Sequence, residues 1–111
     1  MYNFNLEKNE NVIGIFDDVL VGHNDIEKSL SIAITNKRIL FLDYQPIEPL
    51  ETLKGAHASS YIKIKEVIYS RYLEEIKELK KSSLQIVFND NYIISFDNKE
   101  LYECLKEYIN V

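Results

Sequence analysis

The sequence predicts a mainly β fold with one α-helix at its C-terminal end. Three observations carry this. Leu30, Ile32 and Ile34 alternate with Ser31, Ala33 and Thr35, and Ile39 and Phe41 alternate with Leu40 and Leu42, so a hairpin forms about the polar residues between them. Leu84, Ile86 and Phe88 repeat the two-residue period before the turn signal Asn89-Asp90-Asn91 and a further strand, Tyr92 to Phe96. Leu101, Cys104, Leu105 and Tyr108 then recur at three-to-four spacing, the mark of an amphipathic helix. With 111 residues, 46% of them hydrophobic and 28% charged, the chain reads as one domain over 1–111, large enough to bury a core without disulfide or metal staples.

Val12 to Val21 is rich in β-formers and reads as the first strand. Asp17-Asp18 interrupts its alternation, which marks a bulge or an exposed bend. Gly22-His23-Asn24-Asp25 supplies a turn. In the central hairpin a two-residue Asn36-Lys37 turn pairs Ile34 with Ile39 and Ile32 with Phe41, although Lys37 stands where a type I′ turn prefers Gly. Gln45 to Ser60 holds Pro46, Pro49 and Gly55 and is the one long connection, since proline excludes a central strand there. Tyr61 to Val67 alternates again, with Ile62 and Ile64 inward and Lys63 and Lys65 outward. Residues 66–81 leave two parses open. Ile68, Tyr69, Tyr72, Leu73, Ile76 and Leu79 have helical periodicity. The same stretch also reads as a turn near Tyr69–Tyr72 and a strand Glu74 to Lys80, paired with Leu84–Phe88 across Lys81-Ser82-Ser83. The C-terminal helix covers 98–110, with Asp97 and Glu100 as a capping box.

Charge and chemistry exclude more than they assign. The net charge of -5 argues against nucleic acid as a partner. Residues 61–82 carry six basic and four acidic groups, +2, against -4 for 1–60 and -3 for 83–111, so the middle block is the one place for an anionic partner, but its interleaved acids make it read as a solvated mixed-charge surface. Tyr61, Tyr69 and Tyr72 lie in that block, but their spacing suits a core better than a single-strand stacking platform. One cysteine and two histidines give no structural zinc set. Cys104 falls on the apolar helix face, where a buried inert thiol is expected. His23 and His57 are read as exposed and unpaired, and Asp17 and Asp18 as a bulge rather than an acid–base pair, because neighbours on a strand point to opposite faces. No catalytic, cofactor-binding or metal-binding residue is assigned, no cofactor is expected, and the chain is read as non-enzymatic. Without a signal-like start or a long apolar run, the expected location is the cytoplasm.

Ser31-Ile32-Ala33-Ile34-Thr35-Asn36-Lys37-Arg38-Ile39-Leu40-Phe41 resembles the Thr-Asn-Lys-Arg hairpin of bacterial pleckstrin-homology-like domains, which are also similar to GRAM domains. Val67 to Ile76 resembles the short turn before the fifth strand of those domains, and the resemblance spans about residues 10 to 110. It implies a bent, antiparallel, seven-stranded sheet whose open end is capped by the C-terminal helix, and it selects turn plus strand for residues 66–81. It implies no activity, since sites are grafted onto folds independently. Some relatives bind phosphoinositides through a basic first loop. Here that loop is Gly22 to Lys28, with two acids and one lysine, so the site does not carry over.

The expected function is a non-catalytic protein-interaction or self-assembly module, with a homo-oligomer slightly favoured because sheet edges recruit further chains and bacterial members of the resembled family form rings. The alternative is a small ligand-binding or enzymatic β-barrel using His23 with Asp17 or Asp18. A weak membrane-surface binder is the lesser alternative. On the lipid question, liposome co-sedimentation at moderate salt should give no headgroup-selective pelleting, and binding that disappears with salt would report only the Lys63–Lys81 surface.

Overall fold

A computed structural model describes residues 2–44 and 64–109. The expected Gln45–Ser60 connection, Tyr61 to Lys63 and His57 lie outside the described residues. Among the described residues eight strands form one open sheet: β1 (Tyr2–Asn3), β2 (Val12–His23), β3 (Ile26–Thr35), β4 (Arg38–Tyr44), β5 (Lys65–Tyr72), β6 (Ile76–Lys80), β7 (Gln85–Phe88) and β8 (Ile93–Phe96). Their order across the sheet is β1-β5-β4-β3-β2-β8-β7-β6. One helix, α1 (Lys99–Tyr108), follows. The seven anticipated strands are present, and the eighth is β1, which pairs in parallel with β5 through Tyr2↔Lys65 and Asn3↔Glu66.

The β3–β4 hairpin has the expected register, with Ile34 opposite Ile39 and Ile32 opposite Phe41. The bulge in β2 also falls at Asp17-Asp18: Phe16 pairs with Ile32 and Val19 with Leu30, so the strand carries one extra residue, and Asp18 has a φ of 55°. Asn24 and Asp25 both have positive φ, 50° and 64°, as a two-residue type I′ turn between His23 and Ile26 requires. At Gly22 the sheet passes from β3 to β8. An added Cβ would stand 2.6 Å from Ser95 Oγ, so a larger residue here would force the Ser95 hydroxyl to shift.

Both faces of the central hairpin are buried. Leu30, Ile32, Ile34, Ile39 and Phe41 join the main core, which α1 covers with Leu101, Tyr102 and Leu105. Ala33, Leu40 and Leu42 form a second cluster on the outer face, under Tyr2, Phe4 and Val67. This explains the unbroken apolar run Ile39 to Leu42: a strand covered on both sides has no polar face.

What holds the N-terminal segment there is the turn Thr35-Asn36-Lys37-Arg38. Neither Asn36 nor Lys37 has positive φ, so this is not a type I′ turn, and Lys37 needs no glycine-like backbone. The Thr35 hydroxyl staples it, accepting the N–H groups of Lys37 at 3.0 Å and Arg38 at 2.8 Å. Thr35 in turn donates to Glu10 Oε2 at 2.7 Å. Arg38 grips the same carboxylate with both arms, Nε to Oε2 at 2.9 Å and Nη2 to Oε1 at 2.8 Å, and reaches the Asn5 carbonyl at 2.9 Å. The Glu7 N–H completes the set at 2.8 Å from Glu10 Oε1. Asn36 accepts the Asn11 N–H at 2.7 Å and donates to the Asn9 carbonyl at 3.0 Å, and Lys37 Nζ donates to the Lys8 carbonyl at 2.7 Å.

Three expectations are corrected. Residues 66–81 are strand, turn and strand, as the resemblance implies, but the turn in them comes later than Tyr69–Tyr72. β5 runs through Tyr72, a single 3-10 turn occupies Leu73–Glu75, and β6 begins at Ile76. Pairing with β4 along Arg38↔Tyr72 to Tyr44↔Lys65 outweighs the local helix preference. Helix α1 is capped by Asn98, whose side chain accepts the Leu101 N–H at 2.9 Å, while Asp97 instead accepts the Leu20 N–H at 2.9 Å. The buried helix tyrosine is Tyr102; Tyr108 is exposed.

Glu10 is buried with its four donors, and the Arg38 guanidinium above all holds its carboxyl down to about 2 from an ordinary 4.5. A depressed carboxyl stabilises the fold above the unfolded value and ceases to do so as pH falls through the folded one. Glu10→Gln should therefore be less stable than the parent at pH 7 by roughly 3 kcal/mol, because Arg38 stays buried without its anion. Urea unfolding should show that gap narrow from about pH 4.5 and close near pH 2. A gap independent of pH would remove the carboxylate from the account.

Candidate functional site

The sequence-nominated polar residues do not meet. His23 ends β2 beside an open polar cleft of about 430 Å³, which Asn24, Asp25, Gln85 and Asn91 also line. Its ring stacks on Tyr92 with centroids 3.8 Å apart, and Nδ1 lies 2.9 Å from the Ile93 carbonyl, to which it donates. Asp17 and Asp18 sit back at the bulge and do not line this cleft. A His–Asp pair for proton transfer is thus not assembled among the described residues. No group of three or more His, Cys, Asp and Glu among the described residues is arranged to hold a metal ion.

Asp17 has a different task. Ser31 Oγ donates to its Oδ1 at 2.6 Å, the Tyr2 hydroxyl donates to the same oxygen, and Lys65 Nζ is 3.4 Å away. Lys65 also donates to Ser31 Oγ at 2.6 Å, and its ammonium lies 4.9 Å from the Tyr44 ring centroid. Ser31 already gives its proton to Asp17 and receives one from a lysine with a carboxylate beside it. The lysine is spent as a cation, so it does not activate the hydroxyl as a nucleophile. The cluster ties β1, β2, β3 and β5 together on the outer face.

Arg71 is similarly consumed. It donates to Glu75, Tyr69 and Asp90, each at 3.0 Å, and lies over the Phe88 ring at 4.3 Å. It pins the 3-10 turn and the β7–β8 turn to the end of β5. Cys104 is half-buried, and burial pushes its thiol up, away from nucleophilic character.

One surface has polar groups left over. Among the described residues β6 is an end strand of the sheet and pairs only with β7, so its other edge has no strand partner there. Between that edge and α1 runs a groove of about 240 Å³, with Leu79, Tyr102 and Ile109 at its apolar part and Lys77, Glu78 and Lys106 along it. Lys28, Lys37, Arg38, Lys65 and Arg71 are all engaged by hydrogen bonds or ion pairs. Lys77, Lys80, Lys81 and Lys106 make no ion pair in the described structure, and Lys106 rests 5.9 Å from the Tyr102 ring centroid. Sequence reading marked the basic middle block but missed Lys106 and the groove. The legible signal was Lys77-Glu78-Leu79-Lys80-Lys81, three lysines in five positions.

Residues 6–110 of the chain match the bacterial PH domain family. A search of curated proteins finds no match. No helix among the described residues is long and apolar enough to cross a membrane.

The outer-face cluster has a spectroscopic signature. The hydrogen bond to Asp17, followed by burial, pushes the Tyr2 hydroxyl up to about 12 from 10.0. Asp17→Asn removes the anion that favours the neutral phenol. Tyrosine-selective NMR titration should show Tyr2 ionising late in the parent and returning toward its ordinary value in Asp17→Asn, with stability changed by no more than about 1 kcal/mol because the pair is half-exposed. An unchanged Tyr2 titration would remove this contact.

Proposed function

The chain belongs to the bacterial PH domain family, and from that premise we propose that it is a non-catalytic protein-binding module that receives an extended protein segment along the free edge of β6. PH domains are generally non-enzymatic, and the ionisable groups of this one support that reading. Glu10 and Arg38, Asp17 and Lys65, and Arg71 with Glu75 and Asp90 are each committed to holding strands and turns together. His23 stacks on an aromatic ring and donates to a carbonyl, and although Asp25 and Glu27 line the same cleft, neither is hydrogen-bonded to it among the described residues.

The observation that carries the proposal is the open side of β6 beside the groove along α1. A strand laid there gains main-chain hydrogen bonds from the edge, and its alternate side chains reach Leu79 and Tyr102. The reading places the module in the cytoplasm, where its lone thiol stays reduced.

Peptides selected from a displayed random library test this directly. Bound peptides should perturb the NMR amide signals of Ile76 to Lys80 and of the C-terminal half of α1. Perturbations confined to the cleft around His23 and Asn24, or a library that yields no binder, would overturn the reading.

A further inference from the structure

We infer that the groove between β6 and α1 selects an acidic strand, one that alternates carboxylate and apolar side chains. The inference rests on the reading that the β6 edge receives a protein segment, and it adds which segment. Three observations combine. The groove has an apolar part, Leu79, Tyr102 and Ile109, that suits every second side chain of an extended strand. Lys77 on the strand and Lys106 on the helix stand on its two walls, so carboxylates between the apolar side chains meet an ammonium from either side. Neither lysine makes an ion pair among the described residues, although the chain carries a net charge of -5 and the cations on β3, β4 and β5 have partners.

The occupant is a strand from another protein rather than β6 of a second copy. Pairing two β6 strands would bring Lys77 and Lys80 of both onto one ladder, and like charges directly opposite each other on a ladder are destabilising. A lipid surface is the poorer occupant as well. Glu78 lies within the groove and exposed Glu103 and Glu107 stand on the same helix as Lys106, so the cations do not form a flat patch of one sign. An edge strand also offers backbone donors and acceptors in register, which a peptide uses and a bilayer does not.

The test uses the full chain and two short fluorescent peptides, one alternating Glu with Val and Leu, the other with Lys in place of Glu. Lys77→Glu/Lys106→Glu is the paired variant; both side chains are exposed, so the fold is retained. In fluorescence anisotropy at low salt the acidic peptide should bind the parent about tenfold more tightly than the lysine peptide. The double variant should lose or invert that preference. Equal binding of both peptides, mapped to β6 by NMR, would overturn the charge selection and leave the edge reading standing. No binding of either would overturn both. Binding of the parent to phosphatidylserine–phosphatidylcholine vesicles without any peptide preference would overturn the inference in favour of a lipid surface. A mass by light scattering that rises with concentration in the parent, and stays at 13.1 kDa in the double variant, would overturn it in favour of an acidic segment of a second copy.

Discussion

The carboxylate of Glu10 under the guanidinium of Arg38 is the interaction on which the arrangement depends. It joins residues 28 positions apart and sits where water is excluded, so both ions must find every partner inside the protein. They do. Glu10 accepts hydrogen bonds from Arg38, Thr35 and the Glu7 backbone, and no buried side-chain polar atom among the described residues is left without a partner. Around this pair the four residues Thr35 to Arg38 divide the work. The hydroxyl shapes the turn, the amide and the ammonium hold the backbone of residues 8–11, and the guanidinium closes the ion pair. The Thr-Asn-Lys-Arg sequence that suggests the family is therefore an anchor for the N-terminal segment as much as a hairpin turn.

That anchor has a consequence for packing. With residues 5–11 pinned to the hairpin, Tyr2 and Phe4 fall on the outer face, where Ala33, Leu40 and Leu42 would otherwise meet water. The Tyr2–Asp17–Ser31–Lys65 cluster then locks β1 against three other strands, β2, β3 and β5. The bulge at Asp17-Asp18 contributes to this. Without the extra residue, the register after Phe16 would shift, and a one-residue slip exchanges the faces of a strand.

The period-two elements were legible because each buries one face: the β3–β4 hairpin, the bulge in β2 and the β7–β8 pair follow from alternation and turn residues alone. Residues 66–81 were not, since Tyr69, Tyr72, Leu73 and Ile76 satisfy a helical period as well as a strand, turn and strand. Periodicity does not choose between them; the family resemblance selects turn plus strand, and pairing with β4 is the physical reason. The cap moved by one residue for a related reason. Asp97 and Asn98 are both good caps, and Asp97 is taken by the Leu20 backbone of a distant strand. Glu10 was invisible. It lies in a polar run that reads as solvated loop, and a buried carboxylate is recognisable only from the arginine that meets it. The basic character of the middle block could be read from charge, but which lysines remain free could not: Lys65 and Arg71 are consumed by partners that the fold alone brings near.

This partition gives the β6 edge its character. An exposed strand edge invites indiscriminate pairing, and lysines and bulges are the ordinary means of discouraging it. β6 carries both: Lys77 and Lys80 on the strand, and a register break between Ile76 and Glu78. The same devices that repel a like edge leave a charge unanswered, and an unanswered charge beside a half-buried leucine and a buried tyrosine is a criterion for choosing a partner. In the proposed reading, protection and recognition have one physical cause. Had Lys77 and Lys106 been paired within the chain, as Lys28 is with Asp43 and Arg71 with Asp90, the edge would be protected by shape alone and would distinguish no strand from another.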